Sequence, residues 1–188
     1  MYSNNFKNKK TSIKGDLNDF LNLLSDTNIE LFAMGGTAMV LKDIKSITKD
    51  IDFMTNANYE TIKKLFSSKG LKEKSNSKIC NVWYLGNTRI DIFYDAFIIG
   101  TRLDDDWKEL SELIKTIGKL KLYILNWYDL IITKLARSEN RDIDDIITIL
   151  EKENLDFEFL KKRYYETAET SLIKDYDYKF KYLESKIK

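Results

Sequence analysis

Histidine and proline are absent from this chain, and cysteine occurs once, as Cys80. Without histidine there is no Ser-His-Asp triad, no imidazole general base and no His-ligated zinc or iron. A single thiol forms no internal disulfide and offers no thiolate cluster for a soft metal. No charge of one sign predominates. The net charge of +1 gives no overall field to hold nucleic acid or an anionic membrane, although a local basic patch remains compatible with it. No apolar run approaches the length of a membrane span. The first ten residues are polar and lysine-rich, without the apolar centre of a signal peptide. A cytoplasmic protein with no membrane partner is expected.

Against these absences stand 43% hydrophobic and 32% charged residues in a chain of 188, an ordinary globular balance. That length suits one core with a helical appendage. The apolar spacing predicts a helix over 16–24 and a short strand over 29–34, broken by Gly35-Gly36-Thr37. A short helix is expected over 38–43, a strand over 49–54 and an amphipathic helix over 59–69 ended by Gly70. Residues 79–85 and 88–94 read as a hairpin around Gly86-Asn87. A helix over 107–114 and a strand over 119–124 follow. Helices are expected from residue 126 on, over 127–137, 142–152, 156–168 and 176–187. The layout is α/β (α+β): a mixed sheet flanked by helices, residues 1–125, with a helical C-terminal region, residues 126–188, packed on it.

The chemistry concentrates in aspartates. In Lys49-Asp50-Ile51-Asp52-Phe53 the two carboxylates are two apart, so a strand projects both to one face and turns Ile51 and Phe53 to the core. Adjacent carboxylates repel unless a cation neutralises them, and oxygen ligands alone favour Mg²⁺ or Mn²⁺. Asp91 lies between Ile90 and Ile92 on a second expected strand. Should the two strands be neighbours, Asp91 completes a three-carboxylate set able to hold two divalent ions. An alternating Asp/Ile segment also serves as the polar face of an edge strand. Met34-Gly35-Gly36-Thr37 follows an apolar strand and opens a helix. That is a place for phosphate, with Thr37 adding a hydroxyl, or else a plain tight turn. Asp104-Asp105-Asp106 reads as a solvated loop and helix cap, and Cys80 as a packed strand residue. The Tyr- and Lys-rich C-terminal string reads as a charged helix with an apolar seam.

In combination, Gly35, Gly36, Asp50, Asp52 and Asp91 resemble the nucleotidyltransferase superfamily of the DNA polymerase β type. The string MGGTAMVLKDIKSITKDIDFM is similar to the branch that includes AbiEii-type toxins, and WYDLIITKLARSENRDIDDIITIL to that branch's helical signature. The likeness spans residues 29–150. It implies catalytic, metal-binding Asp50, Asp52 and Asp91, and a nucleoside triphosphate donor. Gly35, Gly36 and Thr37 would approach that donor's phosphates, with Lys134 and Arg137 beside them. The acceptor would be an RNA end such as tRNA, a protein or a small molecule, and an antitoxin partner is possible for a toxin. The competing expectation is a nucleotidyltransferase fold without turnover, serving as a binding module, antitoxin or regulator. Arg141 is the weaker candidate for the basic role, its alternative being an ion pair with Asp144 or Asp145.

Overall fold

The structure is a computed structural model and describes residues 13–77 and 79–187. The lysine-rich stretch 1–10 lies outside the described residues.

The chain opens with α1 (Ile13–Leu23) and β1 (Glu30–Ala33), followed by the two-turn helix α2 (Gly35–Leu41) and β2 (Ile51–Thr55). Asn58 caps α3 (Tyr59–Ser68) by accepting from the Thr61 N–H. A three-stranded meander comes next: β3 (Lys72–Asn76), β4 (Cys80–Leu85) and β5 (Thr88–Phe93). The short pair β6 (Phe97–Ile98) and β7 (Thr101–Arg102) leads to a 3-10 turn at Asp105–Trp107. The hairpin β8 (Glu112–Ile117) and β9 (Leu120–Ile124) completes the strands. Four helices close the chain: α4 (Trp127–Arg137), α5 (Asn140–Lys152), α6 (Phe157–Thr170) and α7 (Tyr176–Lys186).

Seven strands form one mixed sheet in the order β3-β4-β5-β2-β1-β9-β8. The pairs β2–β5 and β1–β9 are parallel, and the others are antiparallel. One face carries Phe53, Ile90 and Trp83, which pack under α1 and α3. Phe20 lies 5.8 Å from Phe53, and Phe66 meets Trp83 edge-on at 5.3 Å. Ile51, Phe53, Ile90 and Ile92 are fully buried, as their alternation requires. The opposite face carries Asp52 and Asp91 and looks toward α4 and α5.

One expectation fails here, and one strand had no counterpart in the sequence reading. The segment expected as a helix over 107–114 is the 3-10 turn followed by strand β8. Its Ile114, Thr116 and Ile117 are β-branched, and the Gly118-Lys119 turn, with Gly118 at φ +60°, folds it back on β9. The polar segment KEKSN, without an expected element, is the edge strand β3 on β4. Asp104 to Asp106 are also more than a solvated cap. Arg163 of α6 is buried, and its guanidinium reaches Asp129 Oδ1 at 2.7 Å, Asp106 Oδ1 at 2.8 Å and Asp104 Oδ2 at 3.5 Å. The Lys179 ammonium of α7 donates to the Ala136 carbonyl near the end of α4. The C-terminal helices are thereby tied to the sheet side and to one another. Among the described residues no helix is long and apolar enough to cross a membrane.

Candidate active site

The parallel pairing of β2 with β5 sets Asp52 directly beside Asp91, as Ile51 is beside Ile90 and Phe53 beside Ile92. Cross-strand partners share a sheet face, so the two carboxylates stand together. Asp50 precedes β2 and lines the same cleft of about 600 Å³, with Gly35, Gly36, Lys134 and Arg137. All the sequence-derived candidates except Thr37 meet there.

Thr37 is a correction. Its side chain is fully buried, and its hydroxyl accepts from the Asp52 N–H at 2.9 Å and donates to the Asp50 carbonyl at 3.3 Å. It fixes the entry of β2 against α2 and has no hydroxyl left for phosphate. The two glycines have different neighbours. A Cβ on Gly36 would collide with the Thr48 hydroxyl, so its smallness serves packing. Gly35 has φ +55°, and a Cβ there would lie 3.0 Å from Asp52 Oδ2. Gly35 is the residue that keeps the backbone close to the carboxylates.

Charge is distributed unevenly. Burial, then the charges of Asp91 and Asp50, push the Asp52 carboxyl up to about 7, while Arg137 and Lys134 act weakly in the opposite sense. Among the described residues no salt bridge reaches Asp50 or Asp52. Asp91, by contrast, is held in a fork: Arg89 Nε donates to Oδ1 and a terminal nitrogen to Oδ2, both at 2.8 Å. The basic side of the cleft is internally paired as well. Lys134, only 5% exposed, reaches Asp145 Oδ2 at 2.6 Å and Asp142 Oδ1 at 3.6 Å. Arg137 forks onto Asp142, and Lys45 meets Asp145 Oδ1 at 2.7 Å. Burial works against the Asp145 charge, but hydrogen bonds from Lys134 and Lys45 outweigh it and hold the carboxyl below its ordinary range. Arg141 pairs with Glu139 at 2.8 Å rather than with Asp144 or Asp145. Cys80 is inert, its thiol pushed up to about 12 by burial and by Asp91 and Asp52.

The donor set, three carboxylates on one cleft wall with no sulfur or imidazole, fits a hard divalent cation. Such a cation would relieve the repulsion by Asp91 and Asp50 that, after burial, raises the Asp52 carboxyl. The side chains are not gathered around one point, however. Among the described residues no three acidic, Cys or His side chains form a ready metal cage, and both oxygens of Asp91 are taken by Arg89.

Sequence reasoning missed Arg89, Lys45, Lys49 and Asp145 as cleft residues. Arg89 had a signal, because it is two residues from Asp91 on the same strand and so shares its face. Asp145 had a weaker one in the Arg-Asp-x-x-Asp spacing of residues 141–145, which places Asp142 and Asp145 on one helix side. Lys45 and Lys49 sit in the irregular segment between α2 and β2, where no periodicity fixes direction.

The fold is found in solved structures. The crystal structure of ANT(2")-Ia in complex with adenylyl-2"-tobramycin matches with a TM-score of 0.63 at 12% identity, over 85% of this chain and 99% of that one. The solution structure of the antibiotic-resistance factor ANT(2")-Ia gives 0.64 at 11% identity, over 85% and 94%. At such identities the likeness concerns the fold alone. No curated protein matches the sequence. With a mixed sheet of this order, and a family pattern that matches residues 15–188, the chain belongs to the family described as nucleotidyltransferase of unknown function (DUF6036).

Proposed function

We propose that the protein is an active metal-dependent nucleotidyltransferase. An acceptor hydroxyl attacks the α-phosphorus of a nucleoside triphosphate and loses its proton to a cleft carboxylate or to water, a new P–O bond forms, and the bond to the departing pyrophosphate breaks. The observation that carries this reading is the register pairing of Asp52 with Asp91 in one cleft with Asp50 and the Gly35-Gly36 turn. Asp50, Asp52 and Asp91 would hold Mg²⁺ or Mn²⁺. When bound, such an ion neutralises charge on the triphosphate and the departing pyrophosphate. Gly35 lets the donor come close to the carboxylates, and Thr37 holds β2 in place. Lys134 and Arg137, supplied by the helical C-terminal region, form the basic wall beside the donor's outer oxygens. Arg137 is the more available of the two, with 32% of its side chain exposed.

The charges of the rim bear on the acceptor. The ANT(2")-Ia structure holds adenylyl-2"-tobramycin, a small-molecule adduct. The cleft here is lined by six basic residues, Lys45, Lys49, Arg89, Lys134, Arg137 and Arg141, against four aspartates. Asp142 and Glu139, beside the lining, pair with Lys134, Arg137 and Arg141, so the rim charges are balanced, and an RNA end, a protein and a small molecule are the acceptor classes to test. Incubating the protein with each labelled nucleoside triphosphate, Mg²⁺ and total RNA, total protein or an aminoglycoside panel tests this. Label in any one of them, lost in Asp52→Asn, supports the reading. Label in no acceptor would sink it.

A second reading rests on a specific observation: Asp91, Lys134 and Arg137 are all engaged by protein partners. A nucleotide-binding module without turnover would keep such pairs. Calorimetry with ATP or GTP separates the two, since binding without pyrophosphate release favours the module. The toxin role, with an antitoxin partner in the cytoplasm, is supported by the motif resemblance. Induced expression should then arrest growth, and Asp52→Asn should abolish the arrest.

A further inference from the structure

The Arg89 fork sits on the one carboxylate whose strand partner is Asp52. Arg89 and Asp91 are two residues apart on β5 and project to the same sheet face, into the cleft. Both Asp91 oxygens accept from Arg89, each at 2.8 Å, and Asp91 is nearly buried. The guanidinium is different: its side chain is 42% exposed, and Asp91 is its only salt-bridge partner among the described residues. Little packing therefore opposes its turning away. A cation ligated by Asp91 would stand within a few ångströms of a guanidinium still forked on the same carboxylate, and like charges so placed repel strongly where water is scarce.

We propose that Arg89 is an exchangeable counter-cation: it neutralises Asp91 until a divalent cation takes its place, and the freed guanidinium then turns to the phosphates of the donor. The inference rests on the metal-dependent reading above and extends it. Cation and triphosphate binding become coupled through one side chain. The cation displaces Arg89 from an anion inside the protein, and the substrate offers it another. A planar fork that grips a carboxylate bidentately grips a phosphate in the same way, which a lysine does not. By linkage, triphosphate must tighten cation binding by the same factor as the cation tightens triphosphate.

The test measures Mn²⁺ binding to the full chain without nucleotide, by the loss of free-ion signal in electron paramagnetic resonance. Wild type, Arg89→Gln and Arg89→Lys are compared. With the fork removed, Arg89→Gln should bind Mn²⁺ about tenfold more tightly, in keeping with the modest worth of a half-exposed charge-assisted pair. Arg89→Lys keeps the charge but not the fork, and should also tighten Mn²⁺, by a few-fold. A non-hydrolysable ATP analogue in saturating Mn²⁺ should bind more weakly to both variants than to wild type. Equal Mn²⁺ affinity in wild type and Arg89→Gln overturns the exchange while leaving the metal site standing. A wild-type affinity in Arg89→Lys beside a tightened Arg89→Gln reduces Arg89 to a general field and also overturns it. No Mn²⁺ binding by any of the three removes both the exchange and the metal-dependent reading.

Discussion

Replacing Asp52 with Asn should make the metal-free protein more stable while it abolishes transfer. The substitution keeps size and removes one negative charge from a site where charge is costly. Burial and the neighbouring carboxylates raise the Asp52 carboxyl from 3.8 to about 7. Between these values the folded state binds a proton that the unfolded state has released. Stability therefore falls as pH rises through that window, and Asp52 costs nothing below its unfolded pKa. Fully ionised above pH 7, the group costs about 4 kcal/mol at 1.36 kcal/mol per pKa unit. Solvent at the cleft mouth screens part of that, so the expected gain of Asp52→Asn at pH 8 is about 2 to 4 kcal/mol. For a domain of this size that is a melting temperature higher by roughly 5 to 15 °C. Urea unfolding of both proteins in EDTA, from pH 4 to pH 8, provides the measurement. The curves should converge near pH 4 and separate toward pH 8, and added Mg²⁺ should stabilise wild type more than the variant. A variant less stable than wild type at pH 8, or an advantage that does not change with pH, would refute the account of a strained carboxylate cluster.

The other predictions concern the supports of the site. Thr37→Val leaves the Asp52 N–H without its acceptor and should cost about 1 to 3 kcal/mol in urea unfolding, with Thr37→Ser close to wild type; a neutral Thr37→Val would return Thr37 to the cleft. Arg163→Met takes the counter-charge from the fully buried Asp129 carboxylate, leaving it the Asn126 amide donor, and should cost about 3 to 5 kcal/mol by the same assay. Lys134→Met is milder, since Asp145 keeps Lys45 and Asp142 keeps Arg137. A loss of about 1 to 3 kcal/mol is expected, with a raised KM for the triphosphate in the transfer assay. An unchanged KM would leave Lys134 a purely internal partner of α5.

Elements with a strong period or a capped start were legible in the sequence. Helix α4 runs from Trp127 to Arg137 as its spacing indicates, with Asn126 found to cap it, and Gly86-Asn87 turns β4 into β5. The convergence of Asp50, Asp52 and Asp91 on one cleft could be argued from the two-residue period, because each has isoleucine or phenylalanine on the other face. Edge positions were less legible. Lys72 to Asn76 has no apolar alternation, since β3 is stabilised by its backbone ladder to β4 and faces water. Glu112 to Ile117 offered an apolar spacing that a helix could share, and only its pairing with β9 decides between them. Thr37 was read as a ligand because a hydroxyl beside glycines suits phosphate; its direction depends on where β2 lies, which no local pattern contains. The partners of Lys134 come from the next helix, so its burial depends on how α4 meets α5.

The alignment of Ile51-Asp52-Phe53 with Ile90-Asp91-Ile92 also bears on how the chain avoids folding wrongly. β2 and β5 are joined through α3, β3 and β4, so their pairing must be found across a long loop rather than guided by a turn. A slip of one residue between these strands would carry Asp91 into the packed face under α1 and α3 and lift isoleucines into water. An ionised carboxylate without a partner in that core costs far more than the repulsion it escapes. The acidic residues thus act as a register stop. A variant with both Asp52 and Asp91 made apolar would lose the penalty that separates the native alignment from its shifted neighbours, and its sheet would be the less uniquely paired for it.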